Sequence, residues 1–278
     1  MSKKVISIQG TKGSYSHIAA QHMFGEDITL RERETFKALF DDVREQNADY
    51  AVLPIENSTH GSIFENYDHL TNYDLHIIGE LYLKINFHLI GLPGTKIEEL
   101  TDVFTHRVSL SQIKDFLHEH PNLEPHAYHD NGAAVEMIAK KADKTHAAAA
   151  SKLAAELFGM EVLEEKIQDN PKNYTRFFVL SREEEYKKDT NKSTVQFEVK
   201  HTPGTLVKAL ESFSNLGISL SKIESRPILN TTWEYRFYVD LEAGLSDEKM
   251  KSALTEMLKH TRNVRVLGTY TFGEYIDT

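Results

Sequence analysis

The sequence predicts an α/β protein of two lobes with largely parallel sheets, followed by a small ferredoxin-like βαββαβ domain. Two patterns support the first part. Short apolar strands alternate with helices of 3.6-residue period through Met1–Leu180, and one long stretch switches to strict alternation. A third supports the second part: after a charged interval the last 80 or so residues run strand, helix, strand, strand, helix, strand.

The elements follow in order. Val5–Gln9 reads as a strand entering the turn Gly10-Thr-Lys-Gly13-Ser14-Tyr15-Ser16, with Ser14 or Ser16 to cap a helix that Gly25 stops. Thr35 caps a helix whose apolar residues are Phe36, Leu39, Phe40 and Val43. Ala51–Ile55 is a short buried strand running into Glu56-Asn57-Ser58-Thr59-His60-Gly61-Ser62, before a helix carrying Ile63, Tyr67 and Leu70. Leu81, Leu83, Ile85, Phe87 and Leu89 alternate as one long strand with a buried face. Segments 102–105, 111–118, 123–126, 132–141, 146–150, 151–158 and 162–163 then alternate strand with helix. The charged stretch Ser181–Lys192 reads as a linker. Beyond it lie a strand with Val195, Phe197 and Val199, a helix over Leu206–Leu216 stopped by Gly217, strands Ile218–Ile223 and Trp233–Leu241, a helix with Met250, Leu254, Met257 and Leu258, and a strand at Val264–Leu267.

Composition excludes several functions. The 278 residues suit about two domains, and 40% hydrophobic residues can form cores. With 32 Lys and Arg against 42 Asp and Glu the formal charge is −10, and no basic cluster suits a nucleic acid. There is no cysteine, hence no thiolate nucleophile or Cys-based metal site. No apolar run reaches the ~18 residues that a membrane helix needs, and nothing reads as a signal peptide, so a cytoplasmic protein is expected.

Three segments suit chemistry. The Gly10–Ser16 turn between strand and helix fits an anion cradle, or merely a tight turn that needs glycine; its spacing is neither a P-loop nor GxGxxG. Pro54–Ser62 gathers polar side chains at the end of a buried strand, where open α/β sheets bind ligands, although Ser62 also suits a helix cap. Asn173-Tyr174-Thr175-Arg176-Phe177 sets an arginine beside a buried strand, which asks for an anion or an acidic partner. His106, His118, His120, His126 and His129 crowd one region without metal-ligand spacing on a readable helix, so they read as surface histidines and no metal is expected.

Together, Gly10-x-x-Gly13-Ser-Tyr-Ser16, Pro54-Ile-Glu-Asn-Ser-x-x-Gly-Ser62 and Asn173-x-Thr-Arg-Phe177 resemble the motifs of prephenate dehydratase. Gly204-Thr-Leu-Val-Lys-Ala-Leu210 and Glu224-Ser-Arg-Pro227 resemble the ligand-sensing motifs of its C-terminal ACT domain. The resemblance runs from Val5 to Tyr270. Thr11, Thr105-His-Arg-Val108, Asp130-Asn131-Gly132 and Thr205 depart from the common pattern.

The resemblance implies a type II periplasmic-binding-protein-like fold over residues 1–182, with lobe one near 1–80 and 160–182 and lobe two near 81–159. A linker at 183–193 and an ACT domain at 194–278 follow. It implies conversion of prephenate to phenylpyruvate, water and carbon dioxide without a cofactor, and no fused mutase. Arogenate as substrate, or a non-catalytic amino-acid sensor, are the alternatives. Thr175 is expected on the leaving hydroxyl, Glu56 as candidate acid, or as a purely structural residue, and Arg176 on a carboxylate. Phe177, Asn57, Ser58, Gly61, Ser62, Gly13, Ser14, Tyr15, Ser16 and Asn173 complete the expected substrate site. L-Phenylalanine is expected as inhibitor, held between ACT domains of a homodimer or homotetramer. Its loop would be Thr202-Pro203-Gly204-Thr205-Leu206, with Asn215, Leu216, Gly217, Ile218 and Ser219 from the partner. Glu224, Ser225, Arg226 and Pro227 would transmit the change, though Arg226 also suits a plain salt bridge.

Overall fold

The computed structural model describes residues 3–185, 189–200, 202–228 and 231–277. The chain opens with β1 (Lys4–Gln9), α1 (Tyr15–Phe24), β2 (Ile28–Arg33), α2 (Phe36–Arg44), β3 (Tyr50–Asn57) and β4 (Gly61–Ser62). Next come α3 (Phe64–Asn72), β5 (His76–Lys84), β6 (His88–Gly91), β7 (Asp102–His106), α4 (Arg107–Leu110), α5 (Lys114–Glu119) and β8 (Glu124–Tyr128). α6 (Asn131–Lys141), β9 (His146–Ala150), α7 (Lys152–Phe158), β10 (Glu161–Glu164) and β11 (Tyr174–Ser181) follow. The chain ends with β12 (Lys192–Glu198), α8 (Thr205–Ser214), β13 (Leu220–Pro227), β14 (Tyr235–Leu241), α9 (Glu248–Met257), β15 (Arg262–Tyr270) and β16 (Tyr275–Ile276).

The chain divides into two compact units. Residues 1–63, 81–177 and 275–278 form the first, which holds two sheets. In one, β1 lies parallel to β2 and to β3, and β11 lies beyond β3. The other runs β10-β6-β9-β7-β8, with β7 parallel to both β8 and β9. Ile6, Ile8, Val52, Leu83, Phe87, Val103 and Phe177 share its main core, so the alternating inward residues of both sheets are buried together.

The long alternating strand expected over Leu81–Leu89 is two strands. β5 ends at Lys84 and β6 begins at His88. The period of two persists because Ile85 and Phe87 still turn into the core, but their N–H groups leave the ladder: Ile85 donates to the Asn173 carbonyl and Phe87 to Gln168 Oε1. The break is where the chain passes from one sheet to the other. The helix expected over 111–118 is α5, shifted to Lys114–Glu119, with the short α4 before it, and β2 was not among the expected elements. Ser14 and Thr35 cap α1 and α2 through their side chains, and Gly25 ends α1 at φ 82°.

The second unit comprises residues 64–80 and 178–274. Its sheet order is β13-β14-β12-β15, all antiparallel, with α8 and α9 as crossovers; this is the ferredoxin-like βαββαβ arrangement. Val195, Phe197, Phe213, Val239, Met250 and Met257 form its core. The expected strand at Trp233 starts at Tyr235 instead, since Trp233 has φ 59° and is 71% exposed.

Residues 64–80, expected with lobe one, group with this unit. Thr71 Oγ1 donates to Gln196 Oε1 and also meets the Tyr238 hydroxyl, and Asp74 takes Arg265. The expected linker is not a free connection either. Ser181 belongs to β11, Thr190 is buried, and Lys192 opens β12 at 1% exposure; residues 186–188 lie outside the described residues. Lys192 can be buried because its ammonium meets both oxygens of Glu80, at 2.9 and 3.1 Å, over the Phe272 ring.

Candidate active site

A cavity of about 470 Å³ opens within the first unit, walled by residues of both its sheets. From the first sheet and the segments joined to it come Ser14, Tyr15 and Ser16 at the start of α1, Asn57, His60, Gly61 and Ser62 around the β3–β4 turn, and Thr175 and Phe177 of β11. From the β7 to α6 region come His106, Ser109, Gln112, His129, Asp130 and Asn131.

Local structure explains each placement. β11 turns Thr175 and Phe177 to the cavity, so Arg176 between them faces away. Asn57, at the end of β3, reaches back with Nδ2 to Asn173 Oδ1 at 2.8 Å, and to the Tyr174 carbonyl and Thr175 Oγ1 at 3.1 Å each. Its Oδ1 accepts from the Thr59 and His60 N–H groups and the Thr59 hydroxyl, which folds the Asn57–His60 turn. Thr175 Oγ1 accepts from Asn57 and has no other hydrogen-bond partner among the described residues. Its own hydrogen is left for whatever fills the cavity.

His60 is held at both nitrogens. Gln112 Nε2 lies 2.9 Å from Nδ1, and Nε2 lies 2.7 Å from Ser111 Oγ, whose hydrogen goes to the Val108 carbonyl. Gln112 Oε1 accepts from Asn173 Nδ2 at 2.8 Å, so a chain of amides ties His60 to the Asn173–Phe177 segment.

The Gly10–Ser16 turn is clamped from the opposite side. Thr11 Oγ1 donates to Asp130 Oδ1 at 2.6 Å, and Ser151 Oγ donates to the Gly13 carbonyl at 2.5 Å. A Cβ at Gly132 would stand 2.4 Å from the Lys12 carbonyl oxygen, and one at Gly13 would stand 2.7 Å from Ala154. Two of the positions that depart from the family pattern, Thr11 and Gly132, therefore fit against each other's neighbours. Asn131 Nδ2 fixes Thr105, Ser109 and the Ala149 carbonyl.

Several expected roles are corrected. Arg176 is 2% exposed, does not line the cavity, lies over the Tyr82 ring and donates to Glu56 Oε1 at 3.1 Å. Glu56 faces away with it and is not placed to deliver a proton to the cavity. Ser58 does not line the cavity; it binds the Lys172 carbonyl and the Tyr174 N–H. Asn173 is buried among Asn57 and Gln112. The Gly13 and Ser14 N–H groups serve His17 Nδ1 and the Thr11 carbonyl, so they are not free donors. Ser62 pairs with Glu56 across β3 and β4.

His106 and His129, read as surface residues, line the cavity. Burial pushes the His106 imidazole below its ordinary value, against Asp130 and with help from His129. Gln112 carried no sequence signal of its own, and Asp130 and Asn131 stood out only as departures from the common pattern, because contacts between distant segments place them. Asp102, Glu124 and His126 do converge, with ligand atoms within 4.8 Å, because β7 pairs with β8 and sets Asp102 opposite Glu124. That grouping has His126 Nε2 at 2.6 Å from Asp102 Oδ1 and shares no residue with the cavity wall.

A family model described as prephenate dehydratase matches residues 6–185. The chain belongs to the prephenate dehydratase family. It is 33% identical over 272 residues to the bifunctional chorismate mutase/prephenate dehydratase of Aquifex aeolicus (strain VF5), covering 97% of this chain and 74% of that protein. It is 37% identical over 284 residues to arogenate dehydratase 5, chloroplastic, of Arabidopsis thaliana, covering 95% of this chain and 67% of that protein. A crystal structure of prephenate dehydratase from Arthrobacter aurescens in complex with L-Phe superimposes with a TM-score of 0.88 at 29% identity, over 96% of this chain and 90% of that one. This dehydratase therefore belongs to a family with both prephenate and arogenate enzymes.

In the second unit, Thr202, Pro203, Gly204 and Leu206 line a pocket of about 430 Å³ with Trp233, Tyr235 and Phe237. Thr205 turns its hydroxyl to Thr202. Asn215 to Ser219 lie at the far end of the ten-residue α8, about 15 Å away along the helix. Arg226 makes a two-toothed ion pair with Asp68 of α3, at 2.7 and 3.1 Å, so the salt-bridge reading is the observed one.

Proposed function

We propose that this chain converts prephenate to phenylpyruvate, water and carbon dioxide. In that reaction the bond from the ring to its carboxylate breaks and its electron pair enters the ring. The C4–oxygen bond breaks, and the hydroxide departs with one proton as water. The observation that carries the reading is the Thr175 hydroxyl, which accepts from Asn57 and keeps its hydrogen for the cavity. A threonine is too weak an acid to supply the proton itself, so Thr175 orients and polarises the leaving oxygen. His60, His106, His129 and Asp130 are the titratable side chains around it apart from Tyr15. No lysine or arginine is among the described lining residues, so the dianion is held by hydroxyls, amides and the N-termini of α1 and α6.

The same wall favours prephenate over arogenate. Arogenate carries an ammonium group where prephenate has a keto group, and an ammonium group needs an acceptor. Asp130 is the one carboxylate among the described lining residues; its Oδ1 already accepts from Thr11 and the Ala133 N–H, which leaves Oδ2 alone to meet an ammonium group. Turnover of both substrates by the pure protein, read as phenylpyruvate from prephenate and phenylalanine from arogenate, tests this. We expect kcat/KM for prephenate to be at least tenfold higher; the reverse ratio assigns the site to arogenate, and no product from either leaves a non-catalytic sensor.

L-Phenylalanine is the proposed inhibitor, acting through residues 194–278 against a catalytic segment ending near 182. The crystallised relative that carries L-Phe supports this. The separation of the 202–206 loop from Asn215–Ser219 along α8 favours a ligand shared between two copies of the chain.

A further inference from the structure

A second pocket of about 220 Å³ lies between α1 and the start of α7, and shares no lining residue with the cavity. Its walls include His22 and Ile18 of α1, His88 of β6, and Ser151, Lys152 and Leu153. His88 decides its character. The residue is 5% exposed, and among the described residues its ring has no hydrogen-bond partner. Nδ1 is sealed from solvent, so Nε2 is the nitrogen through which the ring can meet a ligand. Nδ1 stays without a partner whatever enters the pocket, while Nε2 is open to accept or donate a hydrogen bond there.

The surroundings fix the class of ligand. Lys152 brings an ammonium group to the mouth, with its side chain 61% exposed and only a loose pairing to Glu165 at 3.7 Å. Ile18 and Leu153 give the interior an apolar wall. Burial keeps the His88 ring neutral, against Glu165 and with help from Lys152 and Lys166. A hydrogen on Nε2 suits the sealed side, because Nδ1 is then an acceptor without a partner and not a donor without one. The volume equals about seven water molecules, or about seven non-hydrogen atoms.

We propose that this pocket is a second ligand site, for a small carboxylate on a short apolar chain. One oxygen accepts from His88 Nε2, the charge pairs with Lys152, and the chain lies on Ile18 and Leu153. The site bears on the cavity through Ser151. That residue lines the pocket and also donates to the Gly13 carbonyl, so it holds the turn whose Ser14, Tyr15 and Ser16 line the cavity. Occupancy of the pocket and of the cavity should therefore be linked, by the same factor in both directions.

The test is calorimetric titration of the full chain with pentanoate, pentylamine and inorganic phosphate. Pentanoate is expected to bind saturably at millimolar concentration, with phosphate and pentylamine at least fivefold weaker. Lys152→Ala, on an exposed side chain, and His88→Phe, which keeps the ring's volume, are each expected to weaken pentanoate at least fivefold. Pentanoate bound to the cavity instead would be indifferent to Lys152→Ala. Absence of saturable binding, equal binding of phosphate or pentylamine, or an affinity unchanged in Lys152→Ala overturns the site, whichever ring substrate the enzyme prefers. The Lys152→Ala result stands alone if His88→Phe does not fold.

Discussion

At the scale of single residues, Thr175 and Arg176 are neighbours with opposite tasks. Thr175→Val removes a hydroxyl and keeps the shape. It should lower kcat about 10²-fold or more while leaving the melting temperature within a few degrees, and Thr175→Ser should keep part of the rate. A near-normal kcat in Thr175→Val would remove the hydroxyl from the reaction. Arg176→Gln leaves Glu56 without its buried partner, so the expected cost is stability, about 3 kcal/mol in a denaturant titration, with KM unchanged in the folded fraction. A raised KM at unchanged stability would put Arg176 on the substrate after all. His106 gives a pH dependence. Its folded-state value lies below the ordinary one, so the neutral ring stabilises the fold above about pH 6.5 and that contribution is lost as pH falls through the lowered value. His106→Asn keeps an oxygen for the Val108 N–H, which His106 Nδ1 now accepts. Between pH 7.5 and 5 the urea midpoint of this variant should fall less than that of the parent.

At the scale of elements, the turn after β1 and the start of α6 act as one construction. Gly132 is tolerable there because no Cβ presses on the Lys12 carbonyl. Gly132→Ala should push α6 from the turn, costing about 1–3 kcal/mol by overpacking and lowering kcat/KM with it. Gly159→Ala is the control: it meets open space, and at φ 64° the strain comes from the backbone alone. Its kcat/KM should stay unchanged. The turn itself was legible from Gly10, Gly13 and Ser14, because glycine and a capping serine report local backbone geometry. What presses on it, Thr11 against Asp130 and Ala154 against Gly13, was not. The break between β5 and β6 was missed for a related reason: side-chain alternation continued through Ile85 and Phe87 while the hydrogen bonds changed partner.

At the scale of the whole molecule, the C-terminal residues cannot be removed without consequence. Cutting the chain after Lys192 strips α3 and the segment between α3 and β5 of Gln196, Arg226, Tyr238 and Arg265. The truncated protein should bind a hydrophobic dye and melt at lower temperature than the full chain, which makes it a poor test of regulation. A point change serves better. Asn215→Ala in the full chain should keep basal turnover and raise the phenylalanine concentration needed for half inhibition; an unchanged inhibition curve would exclude the 215–219 segment from the phenylalanine site. By itself the sequence determined the α/β class, the βαββαβ segment, the helix caps and the three segments that meet at the cavity, since periodicity, glycine and capping residues act over a few neighbours. Tertiary structure alone decided which side chain in each segment faces the cavity. It turned Thr175 and Asn57 inward and Arg176 and Glu56 away, and it brought in His106, Gln112, His129 and Asp130 from a distant stretch. The physical reason is that strand facing and long-range hydrogen bonds depend on which strands pair, and local pattern carries no record of the partner.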